Sequence, residues 1–152
     1  MLFLREGFVR DARDLKFGID AVRALKKRYG NTITTTLWRY VEQSKDPVFG
    51  AISCHPHRTP ADFDEANPFR YFVGSLSFQE RFSNVRADDL FSEIRAYCED
   101  RRGGPLGATD LLLQDDAGHR LLFHVETFFN QYEALTLSVY KQAKALLVTA
   151  GA

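Results

Sequence analysis

Two short amphipathic segments joined by a tight turn constrain the fold of this chain more than any other feature. They occupy residues 17–44, and in each segment apolar residues recur at steps of three and four, which places them on one face of a helix. Gly30 favours the left-handed conformation that ends a helix, and Thr32 can cap the next helix with its hydroxyl group. The sequence therefore predicts two helices joined by a turn of about three residues, as in a helix-turn-helix unit. The apolar stripes are Ile19, Val22, Leu25 and Tyr29 in the first helix, and Ile33, Leu37, Tyr40 and Val41 in the second.

Charge is distributed unevenly along a chain whose formal net charge is zero. Residues 1–45 carry a net charge of +5, and residues 46–152 carry −5. A basic segment of this kind can attract nucleic acid or can dock on the acidic part of its own chain. Docking within the chain needs no further partner, so we favour it over nucleic acid.

The chain of 152 residues is long enough for one domain, or for one domain with a helical appendage. It opens with no secretory signal, and Cys54 and Cys98 have no Cys-x-x-Cys spacing. No apolar run reaches the ~20 residues that span a bilayer. We therefore expect a cytoplasmic protein with reduced thiols and no membrane partner.

Beyond Pro47 the sequence predicts an α+β domain over residues 48–152, separate from the helical unit at 1–45. A short apolar run at 48–54 and an aromatic run at 69–73 are typical of strands, and the proline-rich stretch 55–68 between them is predicted to be irregular. A helix is predicted over 88–102, ended by two glycines, and a terminal helix after residue 140. Three further strands are predicted at 111–114, 120–128 and 134–140, which gives a five-stranded antiparallel or mixed sheet with helical cover.

The order of these parts resembles the regulatory half of the ImmA/IrrE family, whose full-length members are zinc metallopeptidases of stress or mobile-element regulation. The residues that carry the resemblance are 18–30 and 32–42, which include Leu37-Trp38-Arg39-Tyr40-Val41-Glu42. It implies a helix-turn-helix-like unit followed by a GAF- or PAS-like sensor domain. The family's peptidase motif, His-Glu-x-x-His, does not occur here, since the four histidines are His55, His57, His119 and His124. The resemblance therefore implies a non-catalytic regulatory portion, with zinc expected only in an upstream or partner peptidase domain.

Two sets of residues are candidates for binding. For DNA, the second helix presents Thr34, Thr35, Trp38 and Arg39, with Lys26, Lys27 and Arg28 beside it for phosphates. For a small-molecule ligand, Arg70, Tyr71 and His124 are the polar groups that could converge on a pocket of the sensor domain. The sensor interpretation implies a protein partner. Its alternatives are a DNA-binding regulator and a fragment of a peptidase.

Catalytic and metal sites are not predicted. Cys54-His55-Pro56-His57 comes nearest to a metal cluster, with Cys98, Asp62 or Asp64 as further ligands, but histidines at a strand end are the favoured interpretation. His124 and Glu126 share one face of a strand and could pair with Thr136 or Ser138 as a surface hydrogen-bonded group. Ser75 and Ser77 lack the Gly-x-Ser-x-Gly elbow of a nucleophile.

Overall fold

The computed structural model of the chain describes residues 5–14 and 18–141. The described part contains five helices, α1 to α5, and five strands, β1 to β5. The helices are α1 (Arg5–Asp14), α2 (Ile19–Tyr29), α3 (Ile33–Glu42), α4 (Leu76–Arg81) and α5 (Ala87–Tyr97). The strands are β1 (Phe49–Ser53), β2 (Phe69–Gly74), β3 (Gly104–Gln114), β4 (Arg120–Phe129) and β5 (Ala134–Tyr140).

All five strands form one sheet in the order β2-β1-β5-β4-β3, and every neighbouring pair is antiparallel. β5, which comes last along the chain, lies in the centre between β1 and β4. The α+β class is thus confirmed, and the sheet is antiparallel rather than mixed. No helix within the described ranges has the length and apolar character that crossing a bilayer requires.

The predicted helix pair and its turn are confirmed as α2 and α3. Gly30 ends α2 in the left-handed conformation, with φ of 67°, and its N–H donates to the carbonyl of Lys26. Thr32 begins α3, and its Oγ1 accepts a hydrogen bond of 3.1 Å from the N–H of Thr35. Local sequence chemistry therefore fixes both ends of this turn.

The start of α2 is held by side chains from other elements, since Gly18 supplies no capping group of its own. The N–H of Ile19 donates to Glu126 Oε1 of β4 at 2.7 Å, and the N–H of Gly18 donates to the Tyr40 hydroxyl of α3 at 3.0 Å. A carboxylate at this end is favoured because helix N-termini carry partial positive charge. α2 is thus anchored to the sheet at its first turn.

The sheet is covered by helices on both faces. On one face α1, α2 and α3 share a hydrophobic cluster with Ile52, Val73, Leu135 and Leu137 of the sheet. On the other face α4 and α5 pack on a second cluster that includes Phe49, Phe123 and Val125. The helix pair therefore shares a core with the sheet, while the predicted division into 1–45 and 48–152 stays a prediction about independent folding.

Three predictions of secondary structure need correction. The helix predicted over 88–102 ends at Tyr97, because Cys98 is extended and the carbonyls of Cys98 and Arg101 accept hydrogen bonds from His57 and His55. β3 begins at Gly104 and not at residue 111, since residues 104–110 pair with β4. α1 and α4 were not predicted at all. The predicted terminal helix lies outside the described residues.

Candidate anion-binding cleft

A cleft of about 590 Å³ lies between α2 and the end of the sheet where β4 turns into β5. Its lining combines one face of α2, the start of α3, the β4–β5 turn and the first residues of β3. The lining residues are Arg23, Lys26, Lys27, Ile33, Gly103, Gly104, Phe128, Phe129, Asn130, Gln131 and Leu135. All three ionisable residues among them are cations.

The cations come from one face of α2, because Arg23, Lys26 and Lys27 stand three and four residues apart. Arg23 lies over the ring of Phe128, with 4.3 Å between its Cζ and the ring centroid, and approaches Asp20 only to 3.9 Å. Lys26 and Lys27 are exposed and form no ion pair or side-chain hydrogen bond with any described residue. Like charges at this spacing repel one another, so an anion bound between them would be stabilised.

The opposite wall offers an apolar floor and hydrogen-bond donors. Phe128, Ile33 and Leu135 supply the apolar surface, whereas the Phe129 ring packs on the other face of the sheet, 4.8 Å from the His55 ring. Asn130 Oδ1 already accepts hydrogen bonds from the N–H groups of Tyr132 and Glu133, at 2.9 and 2.8 Å. The Asn130 amide nitrogen is consequently left as a donor. The cleft can therefore receive a ligand that carries both negative charge and an apolar part.

The residues predicted to contact DNA divide into two groups. Lys26 and Lys27 lie free in the cleft, whereas Arg28 forms an ion pair with Asp11 of α1 at 3.0 Å. Arg39 pairs with Glu42 at 3.2 Å, and Glu42 also accepts from the Trp38 indole at 2.6 Å. Thr35 is engaged with the Thr32 cap, and Thr34 is half-buried. The polar side chains on the outward face of α3 are thus engaged within α3 and its cap, whereas the side chains of Lys26 and Lys27 have no partner among the described residues.

The residues predicted to form a ligand pocket are not brought together. Arg70 pairs with Glu133, Tyr71 packs against Trp38, and His124 lies 2.8 Å from Asp110. Arg70 and Tyr71 belong to β2 and His124 to β4, which β1 and β5 separate by about 14 Å of sheet. A second hollow of about 600 Å³ does include Tyr71, with Trp38 and Phe72, at the edge of β2.

The predicted pairing of His124 and Glu126 with Thr136 or Ser138 is wrong. Side chains alternate along a strand, and Thr136 lies opposite Thr127, on the other face of the sheet from Glu126. Thr136 bonds Thr127 at 2.8 Å, and Ser138 bonds the backbone of Phe49. Glu126 is used instead at the start of α2.

The histidines and cysteines near β1 are structural. His55 Nε2 and His57 Nε2 lie 2.7 Å from the carbonyl oxygens of Arg101 and Cys98, and His55 Nδ1 accepts the N–H of His57. These bonds tie the loop after β1 to the segment after α5. Burial raises the pKa of the Cys54 thiol and raises that of Cys98 to about 11, which favours the unreactive protonated form. Within the described ranges, no three His, Cys, Asp or Glu side chains are grouped to hold a metal ion.

Several cleft residues were missed from the sequence. Arg23 could have been found, because it stands at helical spacing from Lys26 and Lys27. Phe128, Asn130 and Gly103 could not, since they reach the cleft only through the pairing of distant strands.

No protein-family model and no curated protein sequence matches this chain.

Proposed function

We propose that this chain is a non-catalytic regulatory protein that binds an anionic ligand in the cleft beside α2. The observation that carries the proposal is the lining: its three ionisable residues are cations, and two of them are unpaired among the described residues. Concave sites with an apolar floor and a few converging polar groups are the usual form of small-molecule sites.

The location of the cleft gives a bound ligand a route to the rest of the fold. Arg23, Lys26 and Lys27 belong to α2, whose start is fixed by Glu126 and whose end leads through the Gly30 turn into α3. A ligand between α2 and the β4–β5 turn would therefore strengthen the attachment of the helix pair to the sheet. Stabilisation of the folded protein on binding follows from mass action.

The setting we propose is cytoplasmic regulation of stress or mobile-element genes, as the resemblance to the ImmA/IrrE regulatory half suggests. In this proposal α2 and α3 correspond to the helix-turn-helix-like unit, and the sheet with α4 and α5 corresponds to the GAF- or PAS-like sensor. The effector would be a protein partner, such as a zinc peptidase domain in the same gene or in a second protein. The tight turn with Gly30 and Thr32 supports the first correspondence.

The test is thermal unfolding of the full chain with citrate, pyrophosphate and a panel of anionic metabolites, each compared with a neutral analogue. We expect at least one anion to raise the unfolding temperature of the wild type and to leave the double variant Lys26→Ala/Lys27→Ala unchanged. The charge-matched control is Lys45→Ala/Lys141→Ala, which removes two exposed lysines that do not line the cleft and should respond like the wild type. A panel without any shift, or a shift that the double variant retains, would refute binding in the cleft.

DNA binding is a second candidate, favoured by the same two unpaired lysines. It predicts affinity for duplex DNA that falls steeply as salt is raised, because phosphate contacts release counterions. Fluorescence anisotropy with labelled duplex would show this, and both Lys26→Ala/Lys27→Ala and Arg39→Ala should weaken it. Affinity that is insensitive to salt, or to the lysine variant, would count against this candidate.

A further inference from the structure

The backbone along the outer edge of β3 has unused hydrogen-bonding groups. β3 is an edge strand and pairs only with β4. The Asp115 N–H donates to the His119 carbonyl in the hairpin, so residues 109, 111 and 113 direct their backbone groups at β4. The N–H and C=O groups of residues 108, 110, 112 and 114 therefore point away from the sheet and bond no described residue. Nearer the start of the strand the edge is covered, since the Leu106 carbonyl accepts from the N–H of Glu99.

The uncovered part of this edge carries three consecutive leucines. Leu112 is 42% exposed, and Leu111 and Leu113 are half-buried on the other face of the strand. Proteins usually protect such edges with lysine, proline or a bulge. In β3 the proline, Pro105, and the bulge both lie before residue 108, and the strand contains no lysine. An apolar edge with free backbone groups can therefore accept another strand.

The sequence of the edge is complementary to itself. If a second β3 runs antiparallel with its Leu112 opposite Leu112, then Leu111 lies opposite Leu113, and Asp110 lies opposite Gln114. Residues 110, 112 and 114 can then each exchange both backbone hydrogen bonds with the residue opposite. Leucines meet leucines, and a carboxylate meets an amide that can donate to it.

Charge favours this register over the neighbouring ones. Pairing centred on residue 110 would place two Asp110 carboxylates opposite each other, and pairing centred on residue 113 would place Asp110 opposite Asp116. Like charges directly opposite one another are destabilising. Pairing centred on residue 111 would set the Asp110 carboxylate against Leu112, which desolvates the charge without a partner.

The side chains beside the edge extend this complementarity. Asp110 lies opposite His124 of its own β4, and Gln114 lies opposite Arg120. Pairing centred on Leu112 would therefore bring Arg120 of one copy within two strand spacings, about 10 Å, of Asp110 of the other. Arg120 is exposed and forms no ion pair with any described residue.

We infer that β3 pairs with β3 of a second copy of this chain, so that the two sheets join into one around a two-fold axis at Leu112. Such an interface is isologous, because the same strand supplies both sides. A hollow of about 500 Å³ between the start of α5 and β3 leaves room beside the edge, and Val85 and Leu90 contribute to its lining. Residues 108–114 are separate from the lining of the anion-binding cleft, so this inference does not depend on the proposed function.

The first test is sedimentation velocity of the full chain from micromolar to millimolar concentration. We expect a monomer–dimer equilibrium for the wild type, and only monomer for Leu112→Lys, because a lysine on the edge opposes pairing. The matched control is Leu76→Lys, which replaces a leucine that is 67% exposed on α4 and should dimerise like the wild type. Far-ultraviolet circular dichroism checks that each variant is folded.

Variants of Gln114 test the register without changing the leucines. Gln114→Glu places a second carboxylate opposite Asp110 and should weaken the dimer, whereas Gln114→Lys places an ammonium group there and should strengthen it. Each change in the dissociation constant should be roughly 2- to 30-fold, because the symmetric dimer contains this pair twice.

Disulfide trapping locates the axis, in a Cys54→Ser background and under mild oxidation. The two Leu112 Cα atoms would be about 5.5 Å apart, a separation that a disulfide spans, so Leu112→Cys should form a covalent dimer. Gln114→Cys is the control, because its counterpart in the second copy would lie four residues along the strand, about 13 Å away.

A wild type that stays monomeric at millimolar concentration would overturn the inference. A dimer that Leu112→Lys retains would overturn it too, because the contact would then lie on another surface. Equal trapping at positions 112 and 114, or Gln114 variants that shift affinity in the same direction, would refute the pairing around Leu112. None of these results bears on anion binding, which the thermal unfolding experiment decides separately.

Discussion

Replacing Gly50 by alanine tests whether α3 is packed on β1 of the sheet. A Cβ atom at Gly50 of β1 would lie 2.7 Å from Leu37 Cδ1 and 2.9 Å from Leu37 Cγ. Leu37 is fully buried in the cluster beneath α2 and α3, so its side chain has no solvent to move into. Overpacking of this kind costs about 1–3 kcal/mol, against which alanine regains roughly 0.5–1 kcal/mol of backbone entropy in a strand. We therefore expect Gly50→Ala to lower the free energy of unfolding by about 1–2 kcal/mol.

A double-mutant cycle identifies the contact responsible. Leu37→Ala alone should cost about 2–5 kcal/mol, because it leaves a cavity in the core. In the double variant the new Cβ at Gly50 fills part of that cavity, so the combined loss should be smaller than the sum of the single losses by about 1 kcal/mol or more. Urea unfolding followed by circular dichroism measures all three variants, and the slope against denaturant concentration should stay constant.

The matched control is Gly103→Ala, since a Cβ atom there would meet a Gln131 side-chain carbon at 3.6 Å, an ordinary contact. Its free energy of unfolding should stay within about 0.5 kcal/mol of the wild type. Were Gly50→Ala as stable as the wild type, or were the two core substitutions additive, α3 would not rest on β1 and the shared core would be refuted.

Three further predictions concern capping, pH and the helical unit. Thr32→Ala should destabilise the protein by about 0.5–2 kcal/mol in urea unfolding, whereas Thr32→Ser should retain the cap and most of the stability. Burial opposes ionisation of Asp115, but hydrogen bonds from the His119 N–H and the Arg81 guanidinium outweigh it and hold the pKa of Asp115 below its usual range. The stability that this carboxylate provides is present above about pH 4 and is lost as pH falls further. The Asp115→Asn variant should therefore have a lower free energy of unfolding at pH 7, and that free energy should change less than in the wild type between about pH 5 and 3. A fragment of residues 46–152 should lack a cooperative unfolding transition in calorimetry, because one face of its sheet would lose its helical cover; a sharp transition would instead support two independent parts.

Elements defined by nearby residues could be predicted from the sequence. α2, α3 and their turn depend on helical spacing and on Gly30 and Thr32, all within the span from Ile19 to Glu42. β4 alternates between buried and half-buried residues, as its sequence predicts. For β5 the predicted half-buried alternation is wrong, because Ala134 to Ser138 are all buried in this central strand, which helices cover on both faces. The end of α5 could not be predicted, because it depends on hydrogen bonds from His55 and His57, which lie far earlier in the chain. α4 is only six residues long, too short for a periodic signal.

The candidate site was accessible from the sequence only in part. The basic charge on α2 can be predicted from the sequence. The ion pairs that neutralise some of the cations are seen only in the structure, where Asp11 of α1 pairs with Arg28 and Glu42 of α3 pairs with Arg39. The apolar floor around Phe128 is distant from Lys26 in sequence and is placed by the strand order. Arg70 and His124 were assigned to one pocket because sequence gives no separation between β2 and β4.

The central position of β5 has a consequence for synthesis of the protein. β1 pairs with residues 134–137 of β5, which come more than 80 residues later in the chain. Only this pairing joins the β2–β1 half of the sheet to the β4–β3 half. A nascent chain that has left the ribosome only as far as β4 holds a β1–β2 hairpin and a β3–β4 hairpin with no strand between them. Such long-range pairing slows folding and exposes unpaired strand edges in the meantime. Completion of the sheet therefore waits for β5 to emerge, and until then chaperones would find their binding surface on these two hairpins.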